Sequence, residues 1–145
     1  MRMRTLLIDD EQDFAWAVAR RLAKRGVEVA LAFDGKSGLE KLADEPFDVV
    51  VLDIRMPGMS GLEVLPRIKE NHPLIEVVLL TAHASMESAR AGMRLGAFDY
   101  LLKPCDFDTL LGKIREAARR KMKQEQRIQQ AHSRRDDIAA GGENS

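Results

Sequence analysis

Short runs of branched apolar residues alternate with longer segments of helical periodicity along most of this sequence, and this alternation restricts the possible folds more than any other feature. In the longer segments, apolar residues recur three or four positions apart, as they do on one face of a helix. Strands that alternate with helices are joined by parallel crossovers, so we predict one α/β domain with a five-stranded parallel sheet and five helices covering both of its faces. The predicted strands are Thr5–Ile8, Val27–Ala32, Val49–Leu52, Val77–Leu80 and Tyr100–Leu102.

Several residues carry the signals that mark helix ends. Gly26 and Gly96 stand where helices should stop, because glycine readily adopts the left-handed backbone conformation found there. Ser85 is expected to cap the fourth helix, and Ser60 with Glu63 forms the S-x-x-E pattern of a capping box for the third. These signals agree with the boundaries that the periodicity predicts.

Helical spacing also predicts which side chains face the core. The first helix has an apolar stripe that begins at Phe14, and Trp16 lies off this stripe, so a solvent-facing or partner-facing position and a core position both stay open for it. In the fourth helix we interpret Met86 and Met93 as packing residues.

The bulk composition excludes several classes of protein. A chain of 145 residues with 45% apolar content can form one domain with a core, and its formal net charge of +0 gives no overall field that would attract nucleic acid or a membrane surface. Cys105 is the only cysteine, which excludes an intrachain disulfide framework and fits a reducing cytosol. No apolar run approaches the length of a signal-peptide core or a membrane span, so we expect a soluble, cytoplasmic protein.

Polar residues with chemical potential follow or end four of the predicted strands. Asp9 and Asp10 follow the first strand, Asp53 follows the third, Thr81 follows the fourth and Lys103 follows the fifth. Ligands of open α/β sheets gather at the carboxyl ends of the strands, so we expect these side chains to meet at one edge.

Carboxylates that share a crevice repel one another, and their pKa values rise unless a cation compensates. Oxygen ligands without a nearby histidine or cysteine pair suit Mg²⁺ rather than zinc, and we place Mg²⁺ on Asp10 and Asp53. An aspartate can attack phosphorus to form an acyl phosphate, with Lys103 offsetting charge on the transferred oxygens and Thr81 donating a hydrogen bond to one of them.

The segments LLIDDE, VVLDIRMPGMSG, VVLLTAH and DYLLKP occur in an order and spacing that resemble the receiver domain of two-component response regulators, over about Met3 to Arg120. The resemblance implies the flavodoxin-like fold of chemotaxis regulators and makes Asp53 the phosphoacceptor. It also makes Asp10 the principal direct metal ligand, Asp9 a ligand acting through water, and the Arg55 carbonyl a third protein ligand.

Further roles follow from the same resemblance. Thr81 would be the switch hydroxyl, Tyr100 the aromatic whose rotamer follows Thr81, and Lys103 the amine that contacts the phosphoryl group. Lys103–Pro104 would be a cis peptide. Arg55 and His83 would lie where side chains modulate the lifetime of the acyl phosphate.

The resemblance implies a signalling switch rather than an enzyme with turnover. A histidine kinase or phosphotransfer protein would phosphorylate Asp53, and the face formed by the fourth helix, fifth strand and fifth helix would then change partners or form a homodimer. An aspartyl-phosphate phosphohydrolase resembling the haloacid-dehalogenase family is disfavoured, because Arg55 occupies the position of its second aspartate. A constitutive interaction module is disfavoured because all five polar site residues are present.

The C-terminal segment gives no output function. We divide the chain into a receiver domain at 1–122 and a charged helical extension with a disordered C-terminus at 123–145. Basic residues cluster between Lys113 and Arg127, but without aromatic platforms or a groove-reading motif they do not predict nucleic-acid binding. The sequence is compatible with a single-domain regulator or with the receiver fragment of a longer regulator whose effector domain is absent from this chain.

Overall fold

The structure is a computed structural model that describes residues 3–82 and 85–143. It contains a five-stranded sheet, all of whose paired strands are parallel, in the order β2-β1-β3-β4-β5. No helix among the described residues combines the length and the apolar character needed to cross a bilayer. The elements are β1 (Arg4–Ile8), α1 (Gln12–Lys24), β2 (Glu28–Ala32), α2 (Gly35–Asp44), β3 (Val49–Leu52), α3 (Gly61–Asn71), β4 (Glu76–Thr81), α4 (Met86–Arg94), β5 (Asp99–Leu102) and α5 (Phe107–Glu143).

The predicted fold class and all five predicted strands are confirmed, with strand ends that differ by no more than one residue. The strand order explains why the pattern was readable: β3 is central and every one of its residues is buried, so it shows a continuous apolar run. The order also places the carboxyl ends of β1, β3 and β4 side by side.

The two faces of the sheet support two separate parts of the core. Val50 and Leu52 of β3 face one cluster, which includes Leu65 and Ile68 of α3. Val49 and Val51 face the other, which is built largely from α1 and α5. Each fully buried leucine or isoleucine contributes about 1.5–3 kcal/mol relative to an exposed position, so the two clusters together hold the strand ends in a fixed register.

The predicted stop signals at Gly26 and Gly96 and the predicted cap at Ser85 are confirmed, and one of the two hydrogen bonds of the predicted α3 capping box is present. Gly26 and Gly96 have φ values of 83° and 101°, in the left-handed region. Ser85 caps α4 in a capping box with Ser88. The Ser60 side chain accepts a hydrogen bond from the Glu63 N–H and caps α3, while the Ser60 hydroxyl donates to the Glu63 carboxylate at 3.4 Å.

The interpretation of Met86 and Met93 as packing residues is wrong. Their exposed fractions are 72% and 47%, and the buried residue of α4 is Gly92. A Cβ atom added at Gly92 would collide with the Leu79 side chain. The helix therefore approaches the sheet through its glycine, and this close approach turns the methionines outward. Trp16 is 51% exposed, which corresponds to the solvent-facing or partner-facing alternative.

Helix α5 is one continuous helix that reaches beyond the domain. Leu110, Ile114 and Ala117 are buried against the sheet, whereas every side chain from Gln126 to Ala139 is exposed. The helix runs to Glu143, so the prediction of a disordered C-terminus is wrong for residues 139–143, and residues 144–145 lie outside the described residues. The division of the chain at residue 122 stays a prediction.

Candidate functional site

The three predicted aspartates and Lys103 lie together at the carboxyl edge of the sheet. One carboxylate oxygen from each of Asp9, Asp10 and Asp53 lies within 4.8 Å of the other two. Main-chain hydrogen bonds fix this edge, because the Asp53 N–H donates to the Ile8 carbonyl at 3.0 Å and the Lys103 N–H donates to the Thr81 carbonyl at 2.9 Å. The backbone hydrogen bonds of the sheet therefore fix the distances between the main-chain positions of the site residues, independently of their side-chain contacts.

The site is a largely buried cluster of charges. Asp9 is 1% exposed and Asp53 is 3% exposed, and the Lys103 side chain is 8% exposed. The Lys103 Nζ lies 2.7 Å from Asp9 Oδ2 and 3.7 Å from Asp53 Oδ2. A second carboxylate, that of Glu11, lies 3.5 Å from the same nitrogen but is 56% exposed. Buried carboxylates are costly unless they are paired, and Lys103 provides one positive charge for several negative ones.

The pKa values of Asp9 and Lys103 reflect this imbalance of charge. Burial raises the pKa of Asp9, and the charge of Asp53 raises it further, although hydrogen bonds from Lys103 and from the Glu11 N–H oppose the rise. Burial lowers the pKa of Lys103, but its hydrogen bond to Asp9 and the charges of Asp9, Asp53 and Glu11 outweigh burial and leave it raised. Lys103 is therefore an ammonium at neutral pH.

The oxygen atoms of the three aspartates differ in what they can still bind. Asp9 Oδ1 accepts from the Glu11 N–H at 3.0 Å, and its Oδ2 accepts from Lys103. Asp53 Oδ1 is buried and has no hydrogen-bond partner among the residues that the structure describes. Such an atom is destabilising unless a ligand reaches it. The all-oxygen donor set of Asp9, Asp10 and Asp53 fits a hard divalent cation. The division of these residues into direct ligands and a ligand acting through water stays a prediction.

A glycine at the start of α3 lies directly against the backbone that follows β3. The Gly61 N–H donates to the Ile54 carbonyl at 2.7 Å. A Cβ atom at Gly61 would collide with the Asp53 carbonyl oxygen and lie 2.8 Å from Ile54 Cα. The first residue of α3 therefore fixes the backbone of Asp53. The position of Gly61 in the motif MPGMSG does not predict this close approach, because the approach depends on the tertiary fold.

The remaining predicted residues occupy the neighbouring strand ends. Thr81 is fully buried at the end of β4, and Tyr100 is half-buried in β5 and packs against the α3 side of the core. The Lys103–Pro104 peptide bond is cis. Arg55 has an exposed side chain in the loop after β3, and His83 lies outside the described residues. The switching roles of Thr81 and Tyr100 and the ligand role of the Arg55 carbonyl stay predictions.

Sequence reasoning assigned Phe14 only to the apolar stripe of α1. In the structure the Lys103 Nζ lies 4.2 Å from the centroid of its ring. No sequence signal short of the fold itself connects a residue of the first helix with a lysine after the last strand.

This chain resembles known proteins over most of its length. The response regulator receiver domain matches residues 5–115. The transcriptional regulator NtrC of Escherichia coli is 38% identical over 120 residues, which are 83% of this chain and 26% of NtrC. The transcriptional regulatory protein DltR of Streptococcus agalactiae is 42% identical over 113 residues, which are 78% of this chain and 50% of DltR. The chain thus spans half or less of these relatives.

Solved structures agree. A CheY-like receiver domain protein from Methanospirillum hungatei superposes with a TM-score of 0.82 at 30% identity, covering 86% of this chain and 99% of that protein. NtrX from Brucella abortus gives a TM-score of 0.80 at 36% identity, covering 86% of this chain and 29% of NtrX. The parallel sheet, the acidic cluster at its carboxyl edge and these matches place the chain in the response regulator receiver domain family.

Proposed function

We propose that this receiver domain is a phosphorylation-dependent signalling switch that accepts a phosphoryl group on Asp53 from a histidine kinase or a phosphotransfer protein in the cytoplasm. The observation that carries the proposal is the buried Asp53 Oδ1 atom, which has no hydrogen-bond partner in the described part of the chain and lies beside Asp9, Asp10 and the Lys103 ammonium. A buried carboxylate oxygen with no partner is suited to bind a ligand that arrives from outside.

The chemical step uses the Asp53 carboxylate as nucleophile. One of its oxygens attacks phosphorus, the bond from phosphorus to the donor atom breaks, and the electron pair of that bond leaves with the donor. The product is an acyl phosphate. Mg²⁺ held by Asp10, Asp53 and the Arg55 carbonyl, with Asp9 acting through water, would offset the charge of the transferred oxygens when bound.

Lys103 and Thr81 would stabilise the product. The Lys103 Nζ is already 3.7 Å from Asp53 Oδ2, so a short shift away from Asp9 brings it to a phosphoryl oxygen. Thr81 ends the strand beside β3 and would donate its hydroxyl to another oxygen. Movement of Thr81 and Tyr100 toward this arrangement would shift the population between two packed states of the domain.

The output surface is proposed on α4, β5 and α5. Four large apolar side chains of α4, β5 and the turn between them are exposed, which marks a surface suited to a protein partner or to a second copy of the chain. Phosphorylation would change the binding of that partner. The residues are Met86 at 72%, Met93 at 47%, Leu95 at 37% and Leu102 at 52% exposure.

We propose no substrate turnover. Arg55, which has an exposed side chain, stands where a phosphohydrolase of this type would carry its second aspartate. Slow loss of the phosphoryl group to water is the only hydrolysis that the proposed mechanism includes.

Incubation with acetyl phosphate and Mg²⁺, followed by intact mass measurement, tests the proposal. We expect one added phosphoryl group on the wild-type protein, none after chelation of the metal, and none on Asp53→Asn. Asp48→Asn is the matched control, because Asp48 is also a paired aspartate, 3.2 Å from the Lys121 Nζ, but lies at the opposite edge of the sheet. An adduct that persists on Asp53→Asn would contradict the assignment.

A further inference from the structure

The aromatic ring of Phe14 lies under the charged end of Lys103. Phe14 belongs to the first turn of α1, and its ring centroid is 4.2 Å from the Lys103 Nζ. A cation at this distance is attracted by the negative face of the ring, and the attraction is strongest where water is excluded. The Lys103 side chain is only 8% exposed, so the contact is largely desolvated.

Three carboxylates compete for the same ammonium, and they pull it to different places. Asp9 and Asp53 are buried in the site, at 2.7 and 3.7 Å from the Nζ. Glu11 lies at 3.5 Å, but its side chain is 56% exposed. A shift of the ammonium toward Glu11 would therefore carry it toward solvent and out of the buried surroundings that it shares with Asp53.

The Phe14 ring differs from the carboxylates because it attracts the ammonium without a directional hydrogen bond. A hydrogen bond to Asp9 must be broken or bent before Lys103 can contact a phosphoryl oxygen. Attraction to a ring face depends little on the rotation of the ammonium, so it persists while the hydrogen bonds are exchanged. The ring can hold the nitrogen near Asp53 both before and after transfer.

We propose that Phe14 is a positioning residue for phosphoryl transfer: its ring keeps the Lys103 ammonium beside Asp53 against the competing pull of Glu11. The inference rests on the proposed function, because it assigns Phe14 a role in the same reaction. If Phe14 only packs against its neighbours in the α1–α5 part of the core, the shape of its ring should matter and the electron density of the ring face should not.

Phenylalanine analogues with one, two or three ring fluorines separate these two roles. Fluorine withdraws electrons from the ring face while the ring keeps its shape, so attraction to the cation falls stepwise and packing is nearly unchanged. We expect the rate constant for Asp53 phosphorylation by acetyl phosphate with Mg²⁺ to fall stepwise, by about threefold to tenfold across the series. A rate that does not depend on fluorination would overturn the proposal.

The chain offers a matched control for the ring. The Arg21 guanidinium lies 4.2 Å from the centroid of the Phe107 ring, outside the acidic cluster. The same analogues at Phe107 should leave the phosphorylation rate unchanged. An equal fall in rate at Phe107 would mean that fluorination acts through general packing, and it would overturn the role given to Phe14.

Removal of the competing carboxylate gives a second readout. Glu11 precedes α1 and its side chain makes no capping hydrogen bond, so Glu11→Gln costs no cap. In that background the dependence of the rate on fluorination at Phe14 should become shallower. An unchanged dependence would refute the competition between Glu11 and the ring.

The proposed function and this inference fail in different ways. If the unfluorinated protein gains no phosphoryl group, or gains it without Asp53, the proposed function is wrong. If the unfluorinated protein is phosphorylated on Asp53 and the fluorinated series is flat, only the role of Phe14 is wrong.

Discussion

Replacement of Asp53 by asparagine should make the metal-free protein more stable, because the site holds more negative charge than Lys103 neutralises. Asp53 lies within 4.8 Å of the Asp9 and Asp10 oxygens, and an effective dielectric constant of about 20 gives a repulsion of about 3.5 kcal/mol for each pair. Solvent screens the more accessible Asp10 and lowers its share. Attraction to Lys103 at 3.7 Å amounts to about 4.5 kcal/mol on the same basis.

The difference predicts that Asp53→Asn raises the free energy of unfolding by about 2 kcal/mol in the absence of metal. Urea denaturation with a chelator present measures it. With Mg²⁺ at about ten times its Kd, the wild-type protein should gain about 1.4 kcal/mol through preferential binding to the folded state, and the variant should gain much less. Asp48→Asn, which breaks a partly exposed ion pair with Lys121, should cost about 0–1 kcal/mol under both conditions.

A metal-free Asp53→Asn protein that is no more stable than the wild type would refute this reasoning. It would mean that Lys103 compensates the cluster fully, and that the unpartnered Asp53 oxygen is not a source of instability.

Three further predictions concern Asp9, Gly61 and Met93. The pKa of Asp9 is raised above 3.8 in the folded state, so its contribution to stability is lost as the pH rises from 3.8 through the raised value. Over that range the unfolding free energy of metal-free Asp9→Asn should therefore increase relative to that of the wild type. A difference that does not depend on pH would contradict this prediction. Gly61→Ala should lower stability by about 1–3 kcal/mol and slow phosphorylation, because the added Cβ meets the Asp53 backbone. In urea denaturation, Gly112→Ala should be neutral or stabilising, because a Cβ there would meet no described atom within 4 Å apart from the neighbouring backbone of its own helix. Met93→Lys should change stability by less than about 0.5 kcal/mol yet weaken any association induced by beryllofluoride and Mg²⁺, as measured by light scattering; unchanged association would remove α4 from the proposed output surface.

Much of the fold was predictable because the three inner strands, β1, β3 and β4, are short, mainly apolar and almost entirely buried. The run Val49–Leu52 is buried on both faces of the sheet, and its residues have no alternation that would suggest anything else. The site was predictable for a related reason: in a parallel sheet, residues that follow different strands arrive at the same edge. Asp9 and Asp53 meet there because β1 and β3 are neighbours.

Side-chain direction was less predictable, because it depends on how closely helices approach the sheet. Met86 and Met93 have the spacing of a buried stripe. However, α4 lies against Leu79 at Gly92, and the methionine side chains are exposed to solvent. The contact between Phe14 and Lys103 joins residues far apart in sequence, and it depends on the tertiary packing that brings α1 close to the loop after β5. The periodicity of a sequence does not predict either the approach of α4 to the sheet or the distance between Phe14 and Lys103.

Phosphorus NMR of the protein mixed with acetyl phosphate and Mg²⁺ tests the central claim most directly, because it identifies the chemical type of the bound phosphoryl group. We predict one protein-bound acyl phosphate resonance for the wild-type protein, which is absent without Mg²⁺ and absent for Asp53→Asn. A resonance of the same type on Asp53→Asn, or a phosphoester or phosphoramidate resonance in place of the acyl phosphate, would contradict the assignment of Asp53 as the phosphoacceptor.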